Sequence, residues 1–317
     1  MKNVIVTGAS GFIGSNLLDV LSRLENLKVY PLSRGGKYRQ EISKFEVLDP
    51  ACKGDWVNAI HYKDVFIHLA GLAHVSVNKS NNVNVVDAYV ESNIDLTRDL
   101  IRLAHKSGVK RFIFISSANV SLTSRGNELL ANPSHKFSPS ELTGITKLEA
   151  EKDIMQFSTS VGMEYVIIRP PLVYGEGVKA NFASLMKLVG KGFPLPFRSI
   201  NRNKRSLVSV YNLVDLIKVC IDHPNAANQV FLVSDDDDMS TSRMVALMAK
   251  VQGKANLSLP VPVWCFKLAG KLFKKEAVVD RLVGSLQLDI EHTKNTLDWA
   301  PPYSVEHGFA LAAKKKD

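Results

Sequence analysis

Three glycines near the start of the chain have the spacing and the neighbours to bind a phosphate group. They follow a short apolar run, precede a helical pattern of apolar residues, and lie three residues apart. Glycine permits a tight turn between strand and helix and lets backbone N–H groups approach a pyrophosphate at the positive end of the helix dipole. The loop therefore predicts dinucleotide binding rather than a plain strand-to-helix turn. The residues predicted to line this cofactor are Gly8, Ser10, Gly11, Phe12, Ile13 and Gly14.

The end of the second apolar run indicates which dinucleotide this loop would take. An NAD-specific site usually places an acidic residue there to accept the ribose 2′-hydroxyl, but this chain has Ser33 and Arg34. A guanidinium can stack on adenine and pair with a 2′-phosphate, so NADP is favoured over NAD. The alternative is an exposed loop arginine in a basic stretch with Lys37 and Arg39.

Alternating strand and helix patterns would hold the loop in place. Short apolar, β-branched runs recur along the first half of the chain, with helical patterns between them; they are residues 3–6, 28–32, 65–69, 111–115 and 164–168. This alternation is typical of a parallel β-sheet covered by helices. From about residue 169 the rhythm loosens and proline clusters appear. We therefore predict a first domain over residues 1–168 and a smaller, interleaved C-terminal α/β substrate lobe over residues 169–317.

Composition and charge exclude several classes of protein. Apolar residues make up 45% and charged residues 22% of the chain, which is close to the globular average and argues against a disordered or low-complexity protein. The net charge of +9 is spread along the sequence, so anionic ligands are favoured and nucleic acid is not implied. Cys52, Cys220 and Cys265 lack paired spacing, so neither a disulfide framework nor a metal site is expected.

The start of the chain bears on where the protein works. The apolar run after Met1 is too short for a signal peptide or a membrane span. We therefore expect a cytoplasmic protein without an integral membrane segment.

A set of short motifs extends over nearly the whole chain. The motifs are the glycine loop, Asp49, the run His68, Leu69, Ala70 and Gly71, then Asn93, the pair Ser116 and Ser117, residues 143–151 and residues 169–175. Together they resemble the extended short-chain dehydrogenase/reductase family of nucleotide-sugar epimerases, dehydratases and reductases. The resemblance implies an α/β fold with a Rossmann-type, doubly wound parallel sheet, and a homodimer. The further cofactor contacts that it implies are Asp49, Leu69, Ala70, Gly71 and Lys147.

The family's active site contains a Ser or Thr, a Tyr, and a Lys four residues after the Tyr. Ser117 and Lys147 match this pattern, but Thr143 occupies the tyrosine position. Oxidising a hydroxyl couples hydride transfer at carbon to proton transfer at oxygen, so an acid/base group must contact that oxygen. A neighbouring ammonium can shift a phenol, with a pKa near ~10, toward neutrality, whereas an aliphatic hydroxyl cannot reach that range. Thr143 can still position a substrate or hold a water.

Three interpretations of the missing phenol follow. In the first, water, Ser117 and Lys147 relay the proton in a natural variant. In the second, the chain is an impaired or engineered form of a tyrosine enzyme. In the third, another base supports a dehydration, which is disfavoured because the family's 4,6-dehydratases carry an Asp-Glu pair where this chain has Ala118 and Asn119. Glu141 is the nearest acidic candidate, and a solvated loop carboxylate is the simpler account of it.

The resemblance also implies a substrate site in the C-terminal half. The residues expected to bind a UDP-sugar are Asn119, Lys179, Asn181, Arg205 and Arg281. The two arginines would clamp its pyrophosphate, because planar guanidinium groups suit that anion. This half is similar to a bacterial surface-polysaccharide branch of C4 epimerases and C4 ketoreductases, so we expect an NAD(P)-dependent UDP-sugar 4-epimerase or 4-ketoreductase. The alternative is a protein that binds NAD(P) and a UDP-sugar without catalysis.

Three further features are interpreted as structural. The carboxylates of residues 235–238 lack the spacing and the glycine of a calcium loop, so a solvated turn is expected. His68 and His74 have no metal-ligand company, and His68 is expected to lie beneath the cofactor. Residues 264–275 alternate apolar side chains with lysines, for which we prefer a helix that buries its apolar face to one that rests on an anionic membrane.

Overall fold

The computed structural model describes residues 1–32, 60, 63–72, 85–121, 128–131, 142–178, 180–274 and 276–314. Its strands are β1 (Lys2–Thr7), β2 (Leu27–Leu32), β3 (Val65–His68), β4 (Arg111–Ile115), β5 (Glu128–Ala131), β6 (Glu164–Arg169), β7 (Leu172–Tyr174), β8 (Leu207–Ser209), β9 (Gln229–Leu232) and β10 (Ser285–Leu288). Its α-helices are α1 (Phe12–Leu21), α2 (Val85–Val90), α3 (Leu96–Lys106), α4 (Leu142–Val161), α5 (Ala180–Gly190), α6 (Val210–Asp222), α7 (Thr241–Val251), α8 (Val263–Leu272), α9 (Glu276–Val283), α10 (Glu291–Leu297) and α11 (Val305–Ala312). A π-helical turn, Glu91–Asp95, joins α2 to α3, and 3-10 turns occupy Ala118–Ser121 and Pro224–Ala226.

Six parallel strands form the main sheet, in the order β2-β1-β3-β4-β6-β9. Successive side chains of a strand point to opposite faces of its sheet. Val4 accordingly lies in one core with Leu17 of α1, whereas Ile5 lies in a second core with Leu100 of α3 and Ile154 of α4. Helices therefore cover both faces, and the predicted Rossmann-type, doubly wound parallel sheet is confirmed.

The C-terminal half contributes both to this sheet and to a smaller lobe. β9 pairs with β6, with Phe231 opposite Ile168. Two parallel pairs, β7 with β8 and β5 with β10, lie outside the main sheet. A separate core surrounds the packed rings of Tyr174, Phe182 and Phe309. The lobe is thus interleaved with the main sheet, and a domain boundary after residue 168 stays a prediction.

Parallel register brings the ends of the central strands to one edge. Thr7 at the end of β1 lies opposite His68 at the end of β3, and His68 lies opposite Phe114. Ile115 at the end of β4 lies opposite Ile168. In open α/β sheets, ligands bind in the crevice outside these carboxyl ends. The loops that follow β1, β3 and β4 are therefore the ones that can build a site.

The acidic run after β9 is not solvated throughout, as the sequence had suggested. Asp235 is 7% exposed and accepts hydrogen bonds from Tyr174 OH at 2.6 Å and Ser209 N at 2.8 Å. Asn212 Nδ2 donates to the same carboxylate at 2.7 Å. Burial raises the pKa of Asp235, and these donors oppose the rise. The expectation of a solvated turn is wrong for Asp235, which ties β7, β8 and α6 together.

The amphipathic helix α8 also departs from the expectation. Val263 and Phe266 pack against the core of the smaller lobe, but Trp264, Leu268 and Leu272 are largely exposed. The expected burial of the apolar face is wrong for these three side chains, because the helix carries apolar residues on both of its faces. Within the described ranges, no helix is long and apolar enough to cross a bilayer.

Candidate active site

The glycine loop between β1 and α1 packs directly on the chain that leaves β3. Gly8 has a φ of +66°, and a Cβ atom there would lie 2.7 Å from the Ala70 nitrogen and 2.8 Å from the Leu69 carbonyl carbon. A Cβ atom at Gly14 would overlap the Gly8 carbonyl oxygen, which also accepts the Gly11 N–H at 2.9 Å. The turn can close only because side chains are missing here.

The first turn of α1 offers N–H groups to an anion. The helix begins at Phe12, and its N-cap residue Gly11 has no side chain that could accept from them. N–H groups at the start of a helix lack acceptors within the helix and carry the positive end of its dipole. No acidic side chain lies in this first turn. The predicted loop, with Ser10 exposed beside it, therefore fits the diphosphate of a dinucleotide.

His68, at the end of β3, is completely buried. Thr97 Oγ1 donates to the Asn93 carbonyl at 2.7 Å, so it accepts from His68 Nε2 at 3.0 Å. His68 Nδ1 then accepts from Thr7 Oγ1 at 2.7 Å. Burial, with the charge of Lys147, lowers the pKa of His68 to about 3. The ring is therefore neutral and serves to join β1, β3 and α3.

Lys147 extends from α4 to the edge where the strands end. Its Nζ donates to the Ile115 carbonyl at 3.1 Å and lies 4.4 Å from the centroid of the Phe114 ring. A Cβ atom at Gly71 would lie 3.0 Å from the same Nζ, so glycine leaves room for the ammonium. The side chain is 6% exposed; burial lowers the pKa of Lys147 to about 8, and the charge of Glu151 opposes the change.

Asn93, in the π-helical turn, fixes the loop that surrounds this ammonium. Its Oδ1 accepts the Leu72 N–H at 2.7 Å, and its Nδ2 donates to the Leu72 carbonyl at 3.0 Å. Nδ2 also donates to Thr146 Oγ1 at 3.0 Å. One fully buried amide therefore joins the loop after β3 to α4, and so sets Gly71 against Lys147.

Ser117 follows β4 by two residues and is partly exposed. Its Oγ accepts the Asn119 N–H at 3.2 Å, and the Ala118 N–H donates to the Pro170 carbonyl at 2.8 Å. Since the Lys147 ammonium binds the carbonyl of Ile115, the structure brings Ser117 and Lys147 to the same strand end. Asn119 is also placed there.

Thr143 has a neighbour that the sequence analysis did not identify. Its Oγ1 donates to the Tyr89 hydroxyl at 3.5 Å, and Tyr89 is 7% exposed. Tyr89 lies in α2, which precedes the π-helical turn of Asn93. Tyr89 and Thr143 are far apart in the sequence, so no local spacing could indicate their contact. A buried phenol thus lies beside the position where the family's tyrosine is missing.

The two predicted substrate arginines come together in the smaller lobe. Arg205 Nη1 donates to the Arg281 backbone carbonyl, and Arg281 lies in α9. Burial lowers the pKa of Arg205, and the charge of Arg281 lowers it further. Two like charges at one place favour a bound anion between or beside them.

Several predicted contacts lie outside the described residues. They are Ser33, Arg34, Asp49 and Lys179, together with the alternative base Glu141 and the second histidine, His74. Asn181 lies in α5, and its side chain also lies outside the description. The roles given to all of them stay predictions.

The chain matches the NAD dependent epimerase/dehydratase family over residues 4–234. It is 47% identical over 315 residues to UDP-glucose 4-epimerase of Vibrio cholerae, with 99% of this chain and 95% of the relative covered. A protein of Escherichia coli O157:H7, N-acetyl-alpha-D-glucosaminyl-diphospho-ditrans,octacis-undecaprenol 4-epimerase, is 25% identical over 326 residues, with 97% of this chain and 93% of the relative covered.

Solved structures share the fold at low sequence identity. UDP-glucuronic acid 4-epimerase from Bacillus cereus, in complex with NAD, has a TM-score of 0.77 at 20% identity and covers 98% of this chain and 95% of its own. UDP-N-acetylglucosamine 4-epimerase from Bacillus cereus has a TM-score of 0.77 at 17% identity, covering 99% and 97%. The same architecture therefore extends over nearly the whole of this chain and of each of these two structures.

Proposed function

Because the chain belongs to the NAD-dependent epimerase/dehydratase family, we propose that it is a UDP-sugar 4-epimerase that acts on a UDP-hexose or UDP-N-acetylhexosamine. The observation that carries this proposal is the buried Lys147 ammonium, held between Ile115 and Gly71 at the edge where the glycine loop lies. The paired Arg205 and Arg281 support a diphosphate-bearing substrate. The identity of 47% to a UDP-glucose 4-epimerase supports reaction at C4.

A pyridine dinucleotide fits the glycine loop, where the first turn of α1 would hold its diphosphate and Gly71 leaves space beside Lys147. When bound, its nicotinamide ring supplies the hydride acceptor and donor for C4. Leu69 and Ala70, packed against Gly8, would form the floor of this site. The close packing of the loop on Leu69 and Ala70 would suit a cofactor that stays bound through the reaction cycle.

The choice between NAD and NADP is a separate proposal. The family description and the similar Bacillus cereus structure name NAD, whereas Ser33 and Arg34 favour NADP through a contact with the 2′-phosphate. We expect denatured protein to release NADP, and Arg34→Ala to weaken NADP binding more than NAD binding in calorimetric titrations. Release of NAD alone would overturn this preference.

Ser117 and Lys147 would each assist the proton transfer, Ser117 by contacting the sugar and Lys147 by contacting the cofactor. Ser117 Oγ accepts from the Asn119 backbone, so its own proton can be donated to the C4 oxygen of the sugar. Lys147, with a pKa of about 8, is largely charged at neutral pH. Its ammonium would hydrogen-bond the nicotinamide ribose. It would also stabilise negative charge that develops on a nearby oxygen during the proton transfer.

Thr143 and Tyr89 would carry the proton between them. The C4 hydroxyl would give its proton to Thr143 Oγ1, Thr143 would pass its own proton to the Tyr89 hydroxyl, and Tyr89 would release its own proton to water; the reverse transfers would follow when the hydride returns. Each hydroxyl can donate one hydrogen bond and accept another, so both can relay a proton. The contact between Thr143 and Tyr89 at 3.5 Å supports this route.

The test is interconversion of UDP-glucose or UDP-N-acetylglucosamine with the C4 epimer, followed by chromatography with and without added NAD or NADP. We expect the protein to equilibrate one of these UDP-sugars with its C4 epimer, without net oxidation of the cofactor. Lys147→Met should abolish it, whereas Lys152→Met, an exposed change on the same helix, should not. Oxidation of NADPH by a 6-deoxy-4-keto sugar, without epimerisation, would identify a 4-ketoreductase. Cofactor and UDP-sugar binding without turnover would identify a non-catalytic binding protein.

A homodimer and a cytoplasmic location complete the proposal. The first is tested by sedimentation velocity of the purified chain, and the second by fractionation of cells. A monomer at micromolar concentration would contradict the homodimer. Recovery with the secreted proteins would contradict the cytoplasmic location.

A further inference from the structure

Helix α8 (Val263–Leu272) presents a stripe of large apolar side chains to solvent. Trp264, Leu268 and Leu272 are 64, 61 and 75% exposed, and Phe273, directly after the helix, is 69% exposed. At 3.6 residues per turn, Leu268 and Leu272 lie only about 40° and about 80° around the helix from Trp264. Monomeric soluble proteins rarely expose contiguous apolar surface of this kind without a use for it.

The opposite face of α8 anchors the helix to the smaller lobe. Val263 and Phe266 pack against the lobe's core, where the rings of Phe266 and Phe197 are stacked with centroids 6.1 Å apart. Gly270 lies so close to α9 that a Cβ atom there would meet Val279 Cγ2 at 2.7 Å. The exposed stripe is therefore fixed in orientation and cannot turn inward by rotation of the helix.

Cationic side chains line one border of the stripe. Lys267 and Lys271 lie about 60° and about 20° around the helix from Trp264, on the side away from Leu268, and both are exposed. Lys274 follows the helix and is also exposed. No acidic residue occurs between positions 263 and 272. The surface is therefore both apolar and positively charged.

The chemistry of this surface distinguishes between its possible occupants. Lysine is depleted at protein–protein interfaces, and a second copy of the chain packed across a two-fold axis would bring the same lysines together. A bilayer avoids both problems, because lysine stems extend to lipid phosphates while apolar side chains enter the acyl boundary. A tryptophan at the edge of the stripe also suits the headgroup level.

We propose that α8 docks the protein on the surface of an anionic lipid bilayer. Trp264, Leu268, Leu272 and Phe273 enter the boundary between headgroups and acyl chains, and the three lysines pair with lipid phosphates. Since α9 packs on the opposite face of α8 and carries Arg281, docking would hold α9 about one helix layer from the bilayer. The inference does not depend on the proposed reaction.

Co-sedimentation of the full chain with vesicles tests the docking. We expect binding to vesicles of phosphatidylcholine mixed with phosphatidylglycerol to be at least about tenfold tighter than to phosphatidylcholine alone, and weaker in high salt. The double variants Trp264→Ser/Leu268→Ser and Lys267→Glu/Lys271→Glu should each lose at least about tenfold of this affinity. Matched changes of exposed residues on α5 and α7, Leu188→Ser and Lys187→Glu/Lys250→Glu, should leave it unchanged.

Two results would overturn the proposal. One is equal or absent binding to both kinds of vesicle. The other is a concentration-dependent self-association that the Trp264→Ser/Leu268→Ser variant abolishes, which would assign the stripe to a contact between copies of the chain. UDP-sugar turnover without vesicles should be the same in all four variants and in the parent chain, so loss of docking can be told apart from loss of the proposed reaction.

Discussion

The burial of Lys147 predicts a pH dependence of the proposed activity. Because its pKa is lowered to about 8, the ammonium is lost in a range where an exposed lysine would keep its charge. We expect kcat/KM for the UDP-sugar to fall about tenfold per pH unit above this value, since kcat/KM reports groups of the free enzyme. The measurement is a pH profile of the initial rate between neutrality and the alkaline limit of stability.

The same shift has a consequence for folding. The folded protein holds this proton less tightly than the unfolded chain, so the group lowers stability below about pH 8 and the cost disappears as pH rises toward ~10.4. We would measure both kcat/KM and the free energy of unfolding across this pH range. As the pH rises, kcat/KM should fall, whereas the destabilising contribution of the Lys147 ammonium should shrink. A profile of kcat/KM that stays flat across this alkaline range would contradict the role given to Lys147.

Tyr89 provides a second prediction at the scale of single residues. Tyr89→Phe removes the hydroxyl next to Thr143 while keeping the buried ring, so we expect kcat to fall about 100-fold with little change in KM. Introducing a phenol at the family's position in the double variant Tyr89→Phe/Thr143→Tyr should restore part of the loss. Steady-state kinetics and the solvent deuterium isotope effect on kcat are the measurements.

Its control is Tyr165→Phe, which removes a hydroxyl on β6, away from Thr143, and should leave kcat unchanged. A purely structural role for Tyr89 would lower the melting temperature without altering the isotope effect, and no second phenol would rescue it. Full activity of Tyr89→Phe would instead favour the relay through water, Ser117 and Lys147.

At the scale of elements, the π-helical turn Glu91–Asp95 positions the loop that surrounds the ammonium. Asn93→Ala leaves the Leu72 N–H and carbonyl without their partner, which we expect to cost about 2–3 kcal/mol of unfolding free energy. Because Gly71 precedes Leu72, dinucleotide affinity should fall as well. Chemical denaturation and calorimetric titration of the cofactor measure both effects.

Ser92→Ala in the same turn is the matched control, since Ser92 is only partly buried. It should change neither quantity appreciably. Unaltered cofactor affinity in Asn93→Ala would show that the loop keeps its position without the amide.

The whole molecule shows which features sequence patterns could and could not predict. The glycine loop and Lys147 each lie within a short local pattern that the sequence shows, whereas their position at one edge of the sheet depends on the pairing of β1, β3 and β4. Tyr89 reaches Thr143 from a helix far away in sequence, so no local spacing could reveal it. Asp235 was misjudged because its donors come from three other elements. For α8, amphipathic periodicity could not say which of two apolar faces meets the protein, and Trp264 was assigned to the wrong one.

The interleaved topology predicts how the molecule unfolds. Phe231 of β9 is completely buried and belongs to the core that also contains Leu17 of α1 and Trp299 near the C-terminus. Strands from both sides of residue 168 thus share one core, and neither half can lose its packing alone.

Phe231→Ala should lower the unfolding free energy by about 3–5 kcal/mol while leaving a single transition. Coincident denaturation curves from tryptophan fluorescence and far-ultraviolet circular dichroism would establish this, with Val278→Ala at an exposed site as control. Two separated transitions would show instead that the two lobes fold independently and that the first domain, residues 1–168, does not need β9.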